Sequence, residues 1–231
     1  SHTAGLAPYF REYLRGYMKE WIKDYEKRTG RELDLYSGGL KIYTTINAEM
    51  QQNAEEAVQE HLGNFQRVFD IIKEDRKYGP FYFDEDPAGN VKRIVDRAMK
   101  NTQRYRGMKR RGASQDSIQK AFTTPIPMTL FTWNGDKDTV LSPRDSIMYY
   151  KGLYQVGMMS VEPQSGHVKA WVGGNDYQYF KYDHVKQGKR QVGSTFKPFV
   201  YASAILEKNY SPCLQVPNAK ICIEKGEFGL L

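Results

Sequence analysis

Cysteine is almost absent from this chain: Cys213 and Cys222 are the only two in 231 residues. A structural zinc ion usually takes four ligands, and no histidine stands near this pair, so no metal centre is expected. The two thiols flank Pro217, and they either close a hairpin disulfide in an oxidising compartment or stay free. Histidine is as sparse. His2, His61, His167 and His184 are scattered, with no two at ligand spacing. Long apolar runs are missing too. None approaches the ~20 residues of a membrane-spanning helix, and no signal-peptide pattern is visible. With 40% hydrophobic and 26% charged residues, the composition is that of an ordinary soluble globular chain of one or two domains. The net charge of +7 gathers in residues 104–111 (RYRGMKRR) and 186–197. Nucleic-acid binding would want aromatics spaced along a basic groove or a known module. Neither is there, so the first run reads as a solvated helix end or loop. No nucleic-acid partner and no cofactor are expected.

What the chain does carry is concentrated in residues 189–201, KRQVGSTFKPFVY. Ser194 and Lys197 stand three apart, just after Gly193 and at the start of a predicted helix. Residues three apart on a helix share a face, so a hydroxyl lies beside an amine. A serine hydroxyl is a poor nucleophile until a neighbouring base takes its proton. A lysine can be that base when desolvation or nearby positive charge lowers its pKa. The pair reads as an acylatable serine with its own base. Spacing alone is weak evidence, because Ser117 and Lys120 (SIQK) repeat it in a polar, basic stretch with no glycine before them. That second pair reads as a solvated helix face. Context separates the two. Residues 157–172 (GMMSVEPQSGHVKAWV) read as two short strands joined at the turn 162–166. Downstream, Phe196, Phe199, Val200, Ala204 and Ile205 recur at helical spacing, with Pro198 near the first turn, where its missing N–H costs little.

Elsewhere, Leu6, Tyr9, Phe10, Tyr13, Leu14, Tyr17, Trp21 and Ile22 predict an amphipathic helix over 6–28 that stops at Gly30. Residues 40–46 (LKIYTTI) alternate and predict a strand, and Asn47 caps a helix from Ala48 to about Leu62. Residues 64–122 predict further helices, broken near Gly79-Pro80 and at 86–90. They serve either as a docking surface or as a pedestal spacing two domains. Residues 125–140 predict a strand pair turning at Asn134-Gly135-Asp136, and 143–155 a helix. The aromatic loop 177–182 (YQYFKY) either stacks on sugars or packs over the serine helix. His184 precedes Ser194 closely enough to suggest a triad base, which the adjacent lysine makes unnecessary.

Three blocks, in order, carry a resemblance. Residues 158–201 resemble the opening of the transpeptidase domain of class A, bifunctional penicillin-binding proteins. Residues 38–58 (GGLKIYTTINAEMQQNAEEAV) resemble the entry to the linker region after the glycosyltransferase domain, and 7–15 (APYFREYLR) the stretch just before it. Residues 59–130 match no pattern and read as a helical insertion. The resemblance implies an α+β fold: a helical and small-strand linker region followed by an incomplete penicillin-binding, serine β-lactamase-like transpeptidase domain. It divides the chain into a helix following the glycosyltransferase domain (1–33), a linker or pedestal region (34–150) and the first part of the transpeptidase domain (151–231).

The same resemblance implies a DD-transpeptidase that crosslinks peptidoglycan by serine acylation, with Ser194 and Lys197 catalytic. Stem peptides ending in D-Ala–D-Ala, β-lactams and other cell-wall synthesis proteins would be its partners. A glycosyltransferase domain and an N-terminal anchor would precede Ser1, placing this part on the periplasmic face of the cytoplasmic membrane. S-D-N-type and K-T-G motifs complete the S-x-x-K signature of this chemistry, and neither follows Ser194. The chain is therefore expected to be a fragment that is inactive alone. A serine DD-carboxypeptidase or β-lactamase would share the pair, although the block from Gly38 speaks against one. A non-catalytic linker or docking module in a cell-wall synthase is the other alternative.

Overall fold

The computed structural model describes residues 5–74, 81 and 85–215. Helices and two small sheets make up the α+β mix. Contacts divide the chain into one unit of Ser1–Gly188 and a second of Lys189–Leu231.

In the first unit, helix α1 (Pro8–Thr29) starts on a proline and stops at Gly30, whose φ of 68° lets its amide bond back to Glu26. The buried side is Tyr9, Met18 and Ile22, whereas Tyr17, expected on that stripe, is 58% exposed. Helix α2 (Ala48–Glu74) starts where predicted: the Asn47 carboxamide oxygen accepts from the Met50 amide at 2.9 Å. It runs well past Leu62. It passes through Gly63, which lies against Trp133; a Cβ there would approach that side chain to 3.4 Å.

The expected strand over 40–46 does not form. Its end is tied to the hairpin β3 (Met158–Val161) and β4 (Val168–Val172) by Thr45 Oγ1 donating to Val168 O at 2.7 Å and Asn47 N to Lys169 O at 2.9 Å. The ladder cannot continue, because the buried Gln51 takes the next position. Its Oε1 accepts from Trp171 N at 2.7 Å and its Nε2 donates to Trp171 O at 3.0 Å. A side-chain amide thus stands in for the neighbouring strand.

Helices α3 (Pro87–Asn101), α4 (Gln103–Arg110) and α5 (Gln115–Thr123) each start on a side-chain cap, from Asp86, Thr102 and Ser114. Such caps satisfy amides that the first turn leaves unpaired. Val95, Met99, Ile118 and Phe122 form their buried cluster, with Ile147 and Met148 of α6 (Pro143–Lys151) packed against it. The break expected at 86–90 is confined to the cap, and the one at Gly79-Pro80 lies outside the described residues. Strands β1 (Ile126–Leu130) and β2 (Lys137–Leu141) pair antiparallel across the predicted turn, where Gly135 has φ 101°. The β3–β4 hairpin pairs Met158 with Val172 and bulges between Ser160 and Val161. Ala170 and Val172 pack with Ala54 and Val58 of α2 in a second cluster.

The second unit holds a 3-10 turn (Gly193–Phe196) running into helix α7 (Lys197–Lys208), which ends at Asn209 with φ 53°. Among its described residues none is buried. Cys213 is exposed, and its expected partner Cys222 lies outside the described residues.

Candidate active site

Gly193 turns the chain into the site with φ 51°. A Cβ there would meet nothing within 4 Å, so glycine is favoured by the backbone angle and not by crowding. Ser194 then sits in the 3-10 turn, and the amide of Lys197 donates to its carbonyl. Lys197, three positions on, is the first residue of α7, and residues three apart on successive helical turns share a face. Both residues are exposed. The neighbouring Thr195 hydroxyl is engaged, donating to Val192 O. The Ser194 hydroxyl makes no hydrogen bond among the described residues. Pro198 occupies the first turn of α7, and Phe196 and Phe199 pair with ring centroids 5.6 Å apart.

The other S-x-x-K, on α5, is built differently. The Ser117 amide donates to Ser114 Oγ at 3.2 Å and the two hydroxyls lie 3.0 Å apart. Ser117 is thus part of a helix cap, and with Lys120 it lies on an exposed face.

The aromatic loop does pack, but on elements of the first unit. Tyr177 meets Tyr9 of α1 edge-on at 5.0 Å, and Phe180 meets Phe131 and Tyr150, each at 5.5 Å. Tyr9 is buried, and its hydroxyl donates to Phe180 O at 2.7 Å. Burial pushes the Tyr9 phenol well above its usual range, with the charges of Asp176 and Asp183 adding to the effect. Gly173 and Gly174 make room for that ring: a Cβ on Gly174 would lie 2.3 Å from the Tyr9 hydroxyl oxygen. His184 lies in the same unit, its ring 4.8 Å from that of Tyr182.

Two buried polar residues that order this region were not singled out from the sequence. Gln51 is one. Asp183 is the other, accepting from Trp171 Nε1 at 3.1 Å, Val185 N at 2.9 Å and Lys186 N at 3.2 Å. An aspartate accepting from amides two and three residues on is an Asx turn, which its place in a loop before a glycine suggests. Nothing local marks Gln51, whose partner Trp171 is 120 positions away.

Residues 76–154 match the penicillin-binding protein middle domain. That stretch takes in α3 to α6 and the β1–β2 hairpin. The chain is similar to penicillin-binding protein 1A of Haemophilus influenzae, at 26% identity over 93% of this chain and 26% of that protein. It is 29% identical to penicillin-binding protein 1A of Neisseria flavescens over 85% of this chain and 27% of that protein. A third relative is penicillin-binding protein 2D of Bacillus subtilis, at 29% identity over 62% of this chain and 19% of that protein. The chain spans about a quarter of the length of the first relatives named.

Proposed function

We propose, from the premise that this chain belongs to the penicillin-binding proteins, that Ser194 is the acylated nucleophile of a peptidoglycan DD-transpeptidase and Lys197 its base. The observation that supports this reading is one turn: Ser194 and Lys197 three apart on it, open to solvent, entered through a glycine with positive φ. Ser194 Oγ attacks the carbonyl carbon of the penultimate D-Ala of a stem peptide while Lys197 Nζ takes the hydroxyl proton. The tetrahedral oxyanion collapses and expels the terminal D-Ala amine, which recovers that proton from Lys197. An ester on Ser194 remains. The amine of a neighbouring strand then attacks the ester, gives a proton to Lys197, and leaves as an amide while Ser194 Oγ is reprotonated. The Ser194 amide, one of the unpaired N–H groups of a helix start, serves as one oxyanion donor. β-Lactams acylate the same oxygen by opening their ring.

In this reading residues 1–33 follow a glycosyltransferase domain, 34–150 form a linker region and 151–231 open the transpeptidase domain. The whole protein is held by an N-terminal anchor at the periplasmic face of the cytoplasmic membrane. Among the described residues no helix is long and apolar enough to cross a membrane. β3 presents Met158, Met159 and Val161, each more than 40% exposed, along the outer strand of its hairpin, a template on which further strands of such a domain can add.

Covalent labelling of the full-length protein by a fluorescent penicillin tests the assignment. Ser194→Ala abolishes the labelled band, and Lys197→Ala slows acylation about a hundredfold or more, the contribution of a positioned general base. Undiminished labelling of the Ser194→Ala protein overturns the reading.

A further inference from the structure

We propose that the cavity between α2 and the β1–β2 turn binds a neutral oligosaccharide. The cavity measures about 590 Å³, within the range of small-molecule sites. Gln59, Asn64, Arg67 and Asp70 line it on the α2 side, facing Trp133 and Tyr149. Sugars present apolar C–H faces that lie against aromatic rings, and rows of hydroxyls that both donate and accept. Carboxamides, a carboxylate and a guanidinium supply both halves of those hydrogen bonds. The lining charges are mixed: Arg67, which donates to Asn64 Oδ1, shares the lining with Glu60 and Asp70, so an anionic polymer gains nothing here.

The walls are held before any ligand arrives. Gln66, buried at the floor, donates to Asp70 Oδ1 and Gly152 O, each at 2.9 Å, and accepts from Tyr154 N at 2.9 Å. Gln59 Nε2 donates to Trp133 O at 2.7 Å and fixes the turn against α2. Such prior ordering lowers the cost of binding. The Trp133 indole N–H is shut from solvent and has no acceptor among the described residues. What Trp133 offers the cavity is therefore ring surface and not its N–H.

The site lies wholly within the first unit and does not use Ser194, so it is tested on the Ser194→Ala chain. That chain, labelled with ¹⁵N, is titrated with chitotetraose. One of its three indole N–H resonances, identified as Trp133 by its loss in Trp133→Phe, shifts and saturates at millimolar sugar. Asn64→Ala combined with Arg67→Ala, both on exposed positions of α2, weakens binding at least tenfold and leaves the thermal midpoint unchanged. Three results overturn the proposal: no saturable shift up to about 10 mM, a shift confined to Trp21 or Trp171, or equal affinity in the double variant.

Discussion

Strand β4 and helix α7 are written in similar apolar residues and meet opposite fates. β4 buries Ala170, Trp171 and Val172, against α2 on one side and the aromatic rings of α1 on the other. On α7, Phe199, Val200 and Tyr201 are 52–66% exposed. Apolar patterning states which face gains from burial, but the gain exists only where a second surface meets it. In β4 that surface comes from residues more than a hundred positions away. The two regions differ in the same way at their functional candidates: the hairpin of the first unit is packed, while Ser194 and Lys197 of the second are exposed.

Breaking the packed side has the largest effect. Gly174→Ala drives a methyl into the buried Tyr9 hydroxyl and destabilises the chain by about 3 kcal/mol in urea unfolding, as overpacking of a tight core does. A change below ~1 kcal/mol would mean that Tyr9 moves aside freely. Gln51→Leu keeps the volume but strands the Trp171 N–H and C=O that Gln51 pairs. Its cost is about 2 kcal/mol, and hydrogen exchange at the Trp171 amide accelerates in the same variant. Unchanged exchange there would contradict the role of Gln51 as a strand substitute. The open side sharpens the contrast. Phe199→Ala, on an exposed face, changes the stability of this chain by about 0.5 kcal/mol or less. A loss comparable to that of Gly174→Ala would place α7 in a core.

Local signals served well where the physics is local. Gly30 ends α1, Asn47 caps α2, and Gly135 turns β1 into β2. Each depends on neighbours within a few residues. Residues 40–46 failed for the opposite reason. Their alternation suits a strand, but a strand needs a ladder, and the Gln51 carboxamide holds the place where it would continue. The loop 177–182 was legible as packed aromatics but not as to its partners, because Tyr9 and Phe131 are supplied by distant chain. At the candidate site, Ser194, Lys197 and Gly193 were legible together. The preceding glycine already set that pair apart from Ser117 with Lys120 in the sequence, and the structure adds how each is built: one serine follows a positive-φ glycine, and the other is tied into a helix cap.

By itself the chain determined its caps, its turns and the spacing that sets a hydroxyl beside an amine, since those follow from backbone sterics and hydrogen bonds a few residues long. Tertiary structure alone decided which apolar faces are covered, that an amide from α2 closes the edge of β4, and that a walled cavity opens beside Trp133. Those outcomes need surfaces brought together from far along the chain, and no window of sequence contains both partners.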